Sequence, residues 1–189
     1  MKSLRERFQE LEDDREWCEY PLDGLLTLMC LAMMCGCNHI REIGRWGKEH
    51  RWELSERLGF RRNRMPCEKE FRDILKRLDI GAFTRIVAEW GEATLHRLGK
   101  EERVAIAIDG KTVRGSRTGE LPAIHLLSAL SHEIQVVLGQ EEVESHTNEI
   151  KGIIPLLADL SLDGRVVTLD ALLTQRDIAE AIVEKGGTT

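Results

Sequence analysis

The stretch Val104-Ala-Ile-Ala-Ile-Asp-Gly-Lys-Thr112 decides how the second half of this chain is read. Small and β-branched apolar residues lead to an aspartate, the pattern of a buried strand stopped at Asp109-Gly110 by a turn signal. Arg165-Val-Val-Thr-Leu-Asp170 repeats the design: a short apolar strand that ends on an aspartate. In open α/β sheets, functional groups collect at the carboxyl ends of strands. If the two strands are neighbours, Asp109 and Asp170 converge. Two close carboxylates repel one another unless a cation lies between them, and an oxygen-only pair suits Mg²⁺ or Mn²⁺. The plainer reading gives Asp109 an ordinary Asp-Gly turn and makes Asp170 a cap for the loop that follows.

Between these strands the pattern predicts two more, Ile124–Leu130 and Ile134–Leu138, joined as a hairpin through Ser131-His132-Glu133. An amphipathic helix over Ile150–Leu160, with Pro155 inside it, comes before the Arg165 strand. Thr174-Gln175-Arg176-Asp177 reads as a capping box that opens a last helix through Val183, ended by Gly186-Gly187. The order after residue 100 is therefore strand, strand, strand, helix, strand, helix.

Upstream the period is helical throughout. Leu4, Phe8 and Leu11 mark one face of an opening helix. Pro21 suits the first turn of a second, which runs through a Leu/Met/Cys stretch and stops near Gly36. Asn38 is placed to cap a third carrying Ile40, Ile43 and Trp46. A fourth spans Trp52 to Leu58 and ends at Gly59. Pro66 opens a fifth with Phe71, Ile74, Leu75 and Leu78 on one side, and Phe83 to Leu95 form a sixth. Trp17, Trp46, Trp52 and Trp90 are expected in the core. These patterns divide the chain into a helical domain, 1–100, and an α/β domain, 101–189.

Composition narrows the function classes. The 189 residues are 42% hydrophobic and 32% charged, an ordinary globular balance. The longest apolar run, Leu25 to Cys37, is too short for a membrane span, which needs about 20 residues. No membrane partner is expected. The charged start, Met1–Asp14, has no secretory h-region. Five cysteines without framework spacing (Cys18, Cys30, Cys35, Cys37 and Cys67) point to free, mostly buried thiols in a reducing cytoplasm. Net charge is −6, yet residues 1–100 balance at +1 and residues 101–189 at −7. That asymmetry fits DNA contact by the first part and metal binding by the second. Arg61, Arg62 and Arg64 form a basic cluster suited either to phosphate contact or to a solvated loop. Cys35-Gly-Cys37-Asn-His39 fits no standard zinc spacing. Gly110-Lys111-Thr112 lacks the earlier glycine of a P-loop, so no nucleotide cofactor is expected.

Five ordered blocks add a resemblance: IAIDGKTVRGS (106–116), HLLSAL (125–130), VLGQ (137–140), TNEIKGIIPLL (147–157) and VVTLDALLTQRDIAEAIVEKGG (166–187). Together they resemble the H-repeat-associated transposases of bacterial insertion sequences. YPLDGLLTLMCLAMMCGC (20–37) is similar to that family's N-terminal domain. The resemblance implies an α+β or α/β architecture: an all-helical N-terminal domain followed by an incomplete ribonuclease H-like mixed sheet with flanking helices. It also implies a D-D-E triad that binds Mg²⁺ or Mn²⁺, with Asp109 and Asp170 as the first two catalytic metal ligands. Lys111, Arg114 and Arg117 would then lie beside the first carboxylate, where phosphate contacts are plausible. Asn148 and Glu149 fall in a family block that a helix N-terminus also explains. The third acid, on a later helix, is not found before Thr189. The expectation is thus a transposase chain cut short before that residue, inactive in strand transfer as it stands, with DNA as partner and a tendency to self-associate. The alternatives are a non-enzymatic DNA-binding or dimerising remnant and a two-carboxylate nuclease.

Overall fold

The computed structural model describes residues 2–99, 104–117, 123–143 and 149–189. The chain forms two compact units, 1–86 and 87–189. As the sequence predicts, helices come first and a four-stranded mixed sheet with helices follows.

The first unit contains α1 (Leu4–Phe8), α2 (Leu22–Met34), α3 (Ile40–Glu49), α4 (Arg51–Leu54), a 3₁₀ turn (Arg61–Asn63), α5 (Glu68–Arg77) and the start of α6 (Ile80–Arg97). Ser3 and Glu6 close a capping box on α1. On α2, Leu22, Leu25, Leu26, Leu28 and Ala32 are buried. Burying each leucine side chain contributes about 1.5–3 kcal/mol. Phe8 stacks on Phe83 with ring centroids 5.6 Å apart. Tyr20 meets Phe60 edge-on, and its hydroxyl donates to the Met65 carbonyl. The buried Asp23 carboxylate is satisfied by Arg5 Nε at 2.7 Å and Gln9 Nε2 at 3.2 Å, so its burial leaves no unpaired charge.

Several local expectations for this unit are corrected. His39, not Asn38, is the N-cap of α3, because the Glu42 carboxylate accepts from both the Asn38 and His39 amides. The same hydrogen bonds hold the Glu42 carboxyl below its usual range. Helix α4 is shorter than the pattern suggests, although Gly59 does take the left-handed conformation expected of it (φ 78°). Trp17 and Trp52 are exposed rather than in the core: Trp17 lies outside any helix, and the Arg51 guanidinium covers the Trp52 ring 4.6 Å from its centroid. All five cysteines are free, but Cys18, Cys35 and Cys67 are exposed and the other two half-buried.

In the second unit the sheet order is β3-β2-β1-β4. Strands β1 (Ala105–Thr112), β2 (His125–Ser131) and β3 (Val137–Val143) are antiparallel neighbours, while β4 (Val166–Leu169) lies parallel to β1. Helices α7 (Glu149–Asp159) and α8 (Arg176–Glu184) supply Ile153, Leu156, Leu157, Ile178 and Ile182 to one core with Ile106, Ile108, Leu127, Ala129 and Val167. Glycine lets helix and sheet approach: a Cβ on Gly152 would lie 2.7 Å from a Val143 methyl. Pro155 sits inside α7 on its exposed side, where the missing N–H is tolerated. The last turns of α6 also belong to this unit. Leu95 joins the core, and Glu92 forms a two-pronged ion pair with buried Arg165 at 2.7 and 2.5 Å.

Three strand-level expectations change. First, β1 does not stop at Asp109-Gly110 but continues to Thr112, because Asp109, Gly110, Lys111 and Thr112 all find partners on β2. Second, the third strand is Val137–Val143 rather than Ile134–Leu138: residues 132–134 turn, and Gln135 adopts a left-handed conformation (φ 55°) before pairing resumes. Third, the Thr174 capping box does not form. The N-cap of α8 is Gln175, and the Thr174 hydroxyl instead donates to the Asp170 carbonyl. No described helix is long and apolar enough to cross a membrane.

Candidate functional site: a carboxylate pair on adjoining parallel strands

Strands β1 and β4 run side by side in register, with Ile106 opposite Val167 and Ile108 opposite Leu169. The residues that follow this last pairing are Asp109, still within β1, and Asp170, just after the end of β4. Neighbouring strands are about 4.8 Å apart. In-register residues on parallel strands share a face, and successive residues alternate faces. Ile106 and Ile108 turn into the helix-packed core, so Asp109 belongs to the opposite face of the sheet; Asp109 and Asp170 are both exposed. Each aspartate therefore follows directly on the last parallel pair, Ile108 opposite Leu169. Asp109 is a mid-strand residue, not a strand tip.

Their surroundings differ. Asp170 Oδ1 accepts the Leu173 amide at 2.9 Å, and Leu173 is fully buried. The loop-capping role open to Asp170 on sequence is thus real, and it fixes the carboxylate while committing only one of its oxygens. Among the described residues the Asp109 carboxylate has neither hydrogen bond nor ion pair, and the Asp-Gly turn proposed as its alternative role is absent. A strand residue that projects an unpaired carboxylate beside a second acid has no evident packing reason to be acidic.

The row continues across the sheet. Asp109 faces Ser128 on β2, and Ser128 faces Gln140 on β3, whose Nε2 donates to Ser128 Oγ at 3.1 Å. Neither Ser128 nor Gln140 stands out from the sequence as a site residue. The available signal was a hydroxyl in the middle of the mostly apolar strand His125–Ser131.

The basic residues expected around the site are distributed unevenly. Lys111 is two positions beyond Asp109 on β1, hence on the same face. Arg114 and Arg117 are exposed in the connection after β1, where Val113 donates to Ile124 and Ser116 Oγ to Val113. In the first unit, Arg61, Arg62 and Arg64 are all exposed. Arg62 and Asn63 take left-handed backbones (φ 57° and 52°), and Asn63 Oδ1 accepts from the buried Ser55 hydroxyl. Arg64 is paired to Glu19 at 3.1 Å. Asn148 lies outside the described residues.

The donor set that Asp109 and Asp170 offer is oxygen only. It fits a hard divalent cation, which is commonly held by one or two carboxylates and keeps several waters. Among the described residues no cluster of three or more His, Cys, Asp or Glu side chains is placed to hold a metal ion, so this unit contributes a pair rather than a closed cage.

A family model described as DDE_Tnp_1-associated matches residues 5–91. "Putative transposase YncI" of Escherichia coli O157:H7 is 35% identical over 98% of this chain and 47% of its own length. "H repeat-associated putative transposase YhhI" of Escherichia coli K12 is 30% identical over 99% of this chain and 50% of its own. "H repeat-associated putative transposase YbfD" of the same strain is 29% identical over 99% of this chain and 74% of its own. The chain spans about half the length of the first two. No solved structure matches. The associated-domain match in the helical unit, together with transposase relatives that align along nearly the whole chain, places it in the H repeat-associated transposase family.

Proposed function

We propose that this chain takes part in DNA transposition, with Asp109 and Asp170 as carboxylate ligands of a DDE-type, Mg²⁺- or Mn²⁺-dependent phosphodiester-cleaving centre. The observation that supports this reading is the parallel pairing of β1 with β4, whose last pair, Ile108 and Leu169, immediately precedes the two aspartates. When bound there, a divalent cation would supply an activated water and stabilise a leaving oxygen. The protein's own part is positional. β1 holds Asp109 rigidly in mid-strand, and the Leu173 amide orients Asp170. Lys111, on the Asp109 face, is suited to a phosphate oxygen, and Arg114 and Arg117 extend positive charge along the adjoining connection. The third acid belongs to the resemblance and is not assigned to any residue here, so strand transfer is not expected from residues 1–189 acting alone.

The test is metal binding, which needs no turnover. Titrating the 189-residue chain with Mn²⁺ and counting free ion by electron paramagnetic resonance should reveal a site that is lost in Asp109→Ala. Asp109→Asn should weaken it at least tenfold, since the second carboxylate alone makes a poor ligand set. Mn²⁺ affinity equal in wild type and Asp109→Ala would refute the assignment.

A further inference from the structure

We infer a second DNA-contacting site, a phosphate-binding groove between α3 and α5 whose working residues are Arg41, Arg45 and Arg72, none of which the sequence pattern singles out. The inference rests on the reading that this chain handles DNA, and it names where in the helical unit the backbone would be gripped. The groove encloses about 550 Å³ and is lined by these three arginines with His39, Glu42 and Glu68.

Charge accounting within the groove leaves it positive. Glu68 is shared: its Oε1 lies 2.5 Å from Arg72 Nη2, and its Oε2 lies 3.8 Å from Arg41 Nε. One carboxylate therefore serves two guanidinium groups. Glu42 is turned toward the Asn38 and His39 amides, which it accepts at 2.9 and 3.2 Å, so its charge is spent on the start of α3. Arg45 has no salt bridge among the described residues, and it is exposed. Arg41 and Arg72 also keep much of their surface open, with side chains 79% and 59% exposed.

Helical spacing organises the site. Arg41 and Arg45 are one turn apart on α3, with exposed Lys48 following at i+7 of Arg41. On α5, Arg72 is flanked by exposed Lys69 and Lys76. Two basic ridges thus border one concavity. Guanidinium forks match phosphate oxygens in pairs, and a surface pair with Glu68 is weak enough to exchange for phosphate. The cluster at Arg61, Arg62 and Arg64 does not line this groove, and one of its three members is already paired.

Salt dependence distinguishes this groove from its rivals. Binding of the full chain to a fluorescein-labelled mixed-sequence duplex would be followed by anisotropy at several KCl concentrations. For Arg41→Gln/Arg45→Gln/Arg72→Gln, affinity should fall at least tenfold, and the slope of log K against log salt should shrink by up to about 2.7, about 0.9 for each phosphate no longer neutralised. Arg61→Gln/Arg62→Gln should shrink it less. Glu68→Gln, which frees Arg41 and Arg72, should tighten binding roughly threefold. This gain cannot come from a misfolded protein. An unchanged slope in the triple variant, or no gain from Glu68→Gln, would overturn the groove while leaving the carboxylate site untouched. Failure of the wild-type chain to bind duplex at all would instead count against the DNA reading itself.

Discussion

Glu92→Ala is expected to lower the stability of the sheet-bearing unit by about 3 kcal/mol, more than Arg165→Leu. Arg165 is buried, only 5% exposed, and both prongs of its guanidinium close on the Glu92 carboxylate. Removing one partner of a buried pair strands the other charge, at a cost of roughly 3–5 kcal/mol. The Glu92 side chain is itself 33% exposed, so water would partly resolvate it if Arg165 were the one removed. The asymmetry gives the test its direction. Loss of the acid leaves a cation with no route to water, whereas loss of the base leaves an acid that has one. Glu92→Leu/Arg165→Leu should recover part of the loss, because an apolar pair of similar volume costs neither charge its hydration. Thermal melts of wild type, Glu92→Leu, Arg165→Leu and Glu92→Leu/Arg165→Leu close a double-mutant cycle. Equal losses from Glu92→Ala and Arg165→Leu would overturn the predicted asymmetry.

Gly24→Ala should be nearly as damaging to the helical unit, by about 3 kcal/mol. A Cβ at this position on α2 would stand 2.3 Å from the Leu58 carbonyl oxygen and 2.8 Å from the Phe60 ring. The first of these is backbone, which no rotamer change can move, so the helix and the Leu58–Phe60 segment must separate. Overpacking of this kind typically costs about 1–3 kcal/mol, and the upper end applies where the obstacle is main chain. The displacement would also disturb Tyr20, whose ring packs edge-on against Phe60 with centroids 5.1 Å apart. Circular dichroism melting, with tyrosine near-ultraviolet signal as a second probe, checks both effects. Gly36→Ala is the control: nothing lies within 4 Å of its Cβ position, so only its left-handed backbone (φ 91°) opposes the change. A Gly24→Ala loss no larger than that of the control would mean that the close approach is not packed as described.

The architecture was legible because the dominant signal, hydrophobic period, switches once along the chain and is strong on both sides of the switch. What local pattern misjudged was governed by partners far away in sequence. Asp109-Gly110 carries turn chemistry, yet β2 offers a continuous ladder, and pairing overrode the propensity. Thr174 has the residue type of a cap, but the Asp170 carbonyl competed for its hydroxyl. Trp52 has the hydrophobicity of a core residue, but α4 offers no buried face to receive it. The repeated strand-then-acid pattern anticipated the two strands that precede Asp109 and Asp170, and these are parallel neighbours. Ser128 and Gln140 were not, because a single polar residue in a strand carries no sign of which neighbour it will face. The groove arginines were invisible for the same reason: α3 and α5 are joined through a long, mostly irregular segment, and only their packing brings Arg41 to Arg72.

The parallel pairing of β1 with β4 has a kinetic side. The β1–β2–β3 meander closes through nearby pairings, but β4 can add to the edge only after α7 has crossed between them, and such nonlocal pairings form slowly. β4, with Asp170 just after it, is therefore expected to join the sheet late and, held on its outer side among the described residues only by the Val166–Thr188 bridge, to open before β2. Occupancy by a divalent ion would rivet that edge shut. Backbone amides of Val166–Leu169 should then exchange with deuterium at least severalfold more slowly in Mg²⁺ than in chelator, while β2 remains indifferent.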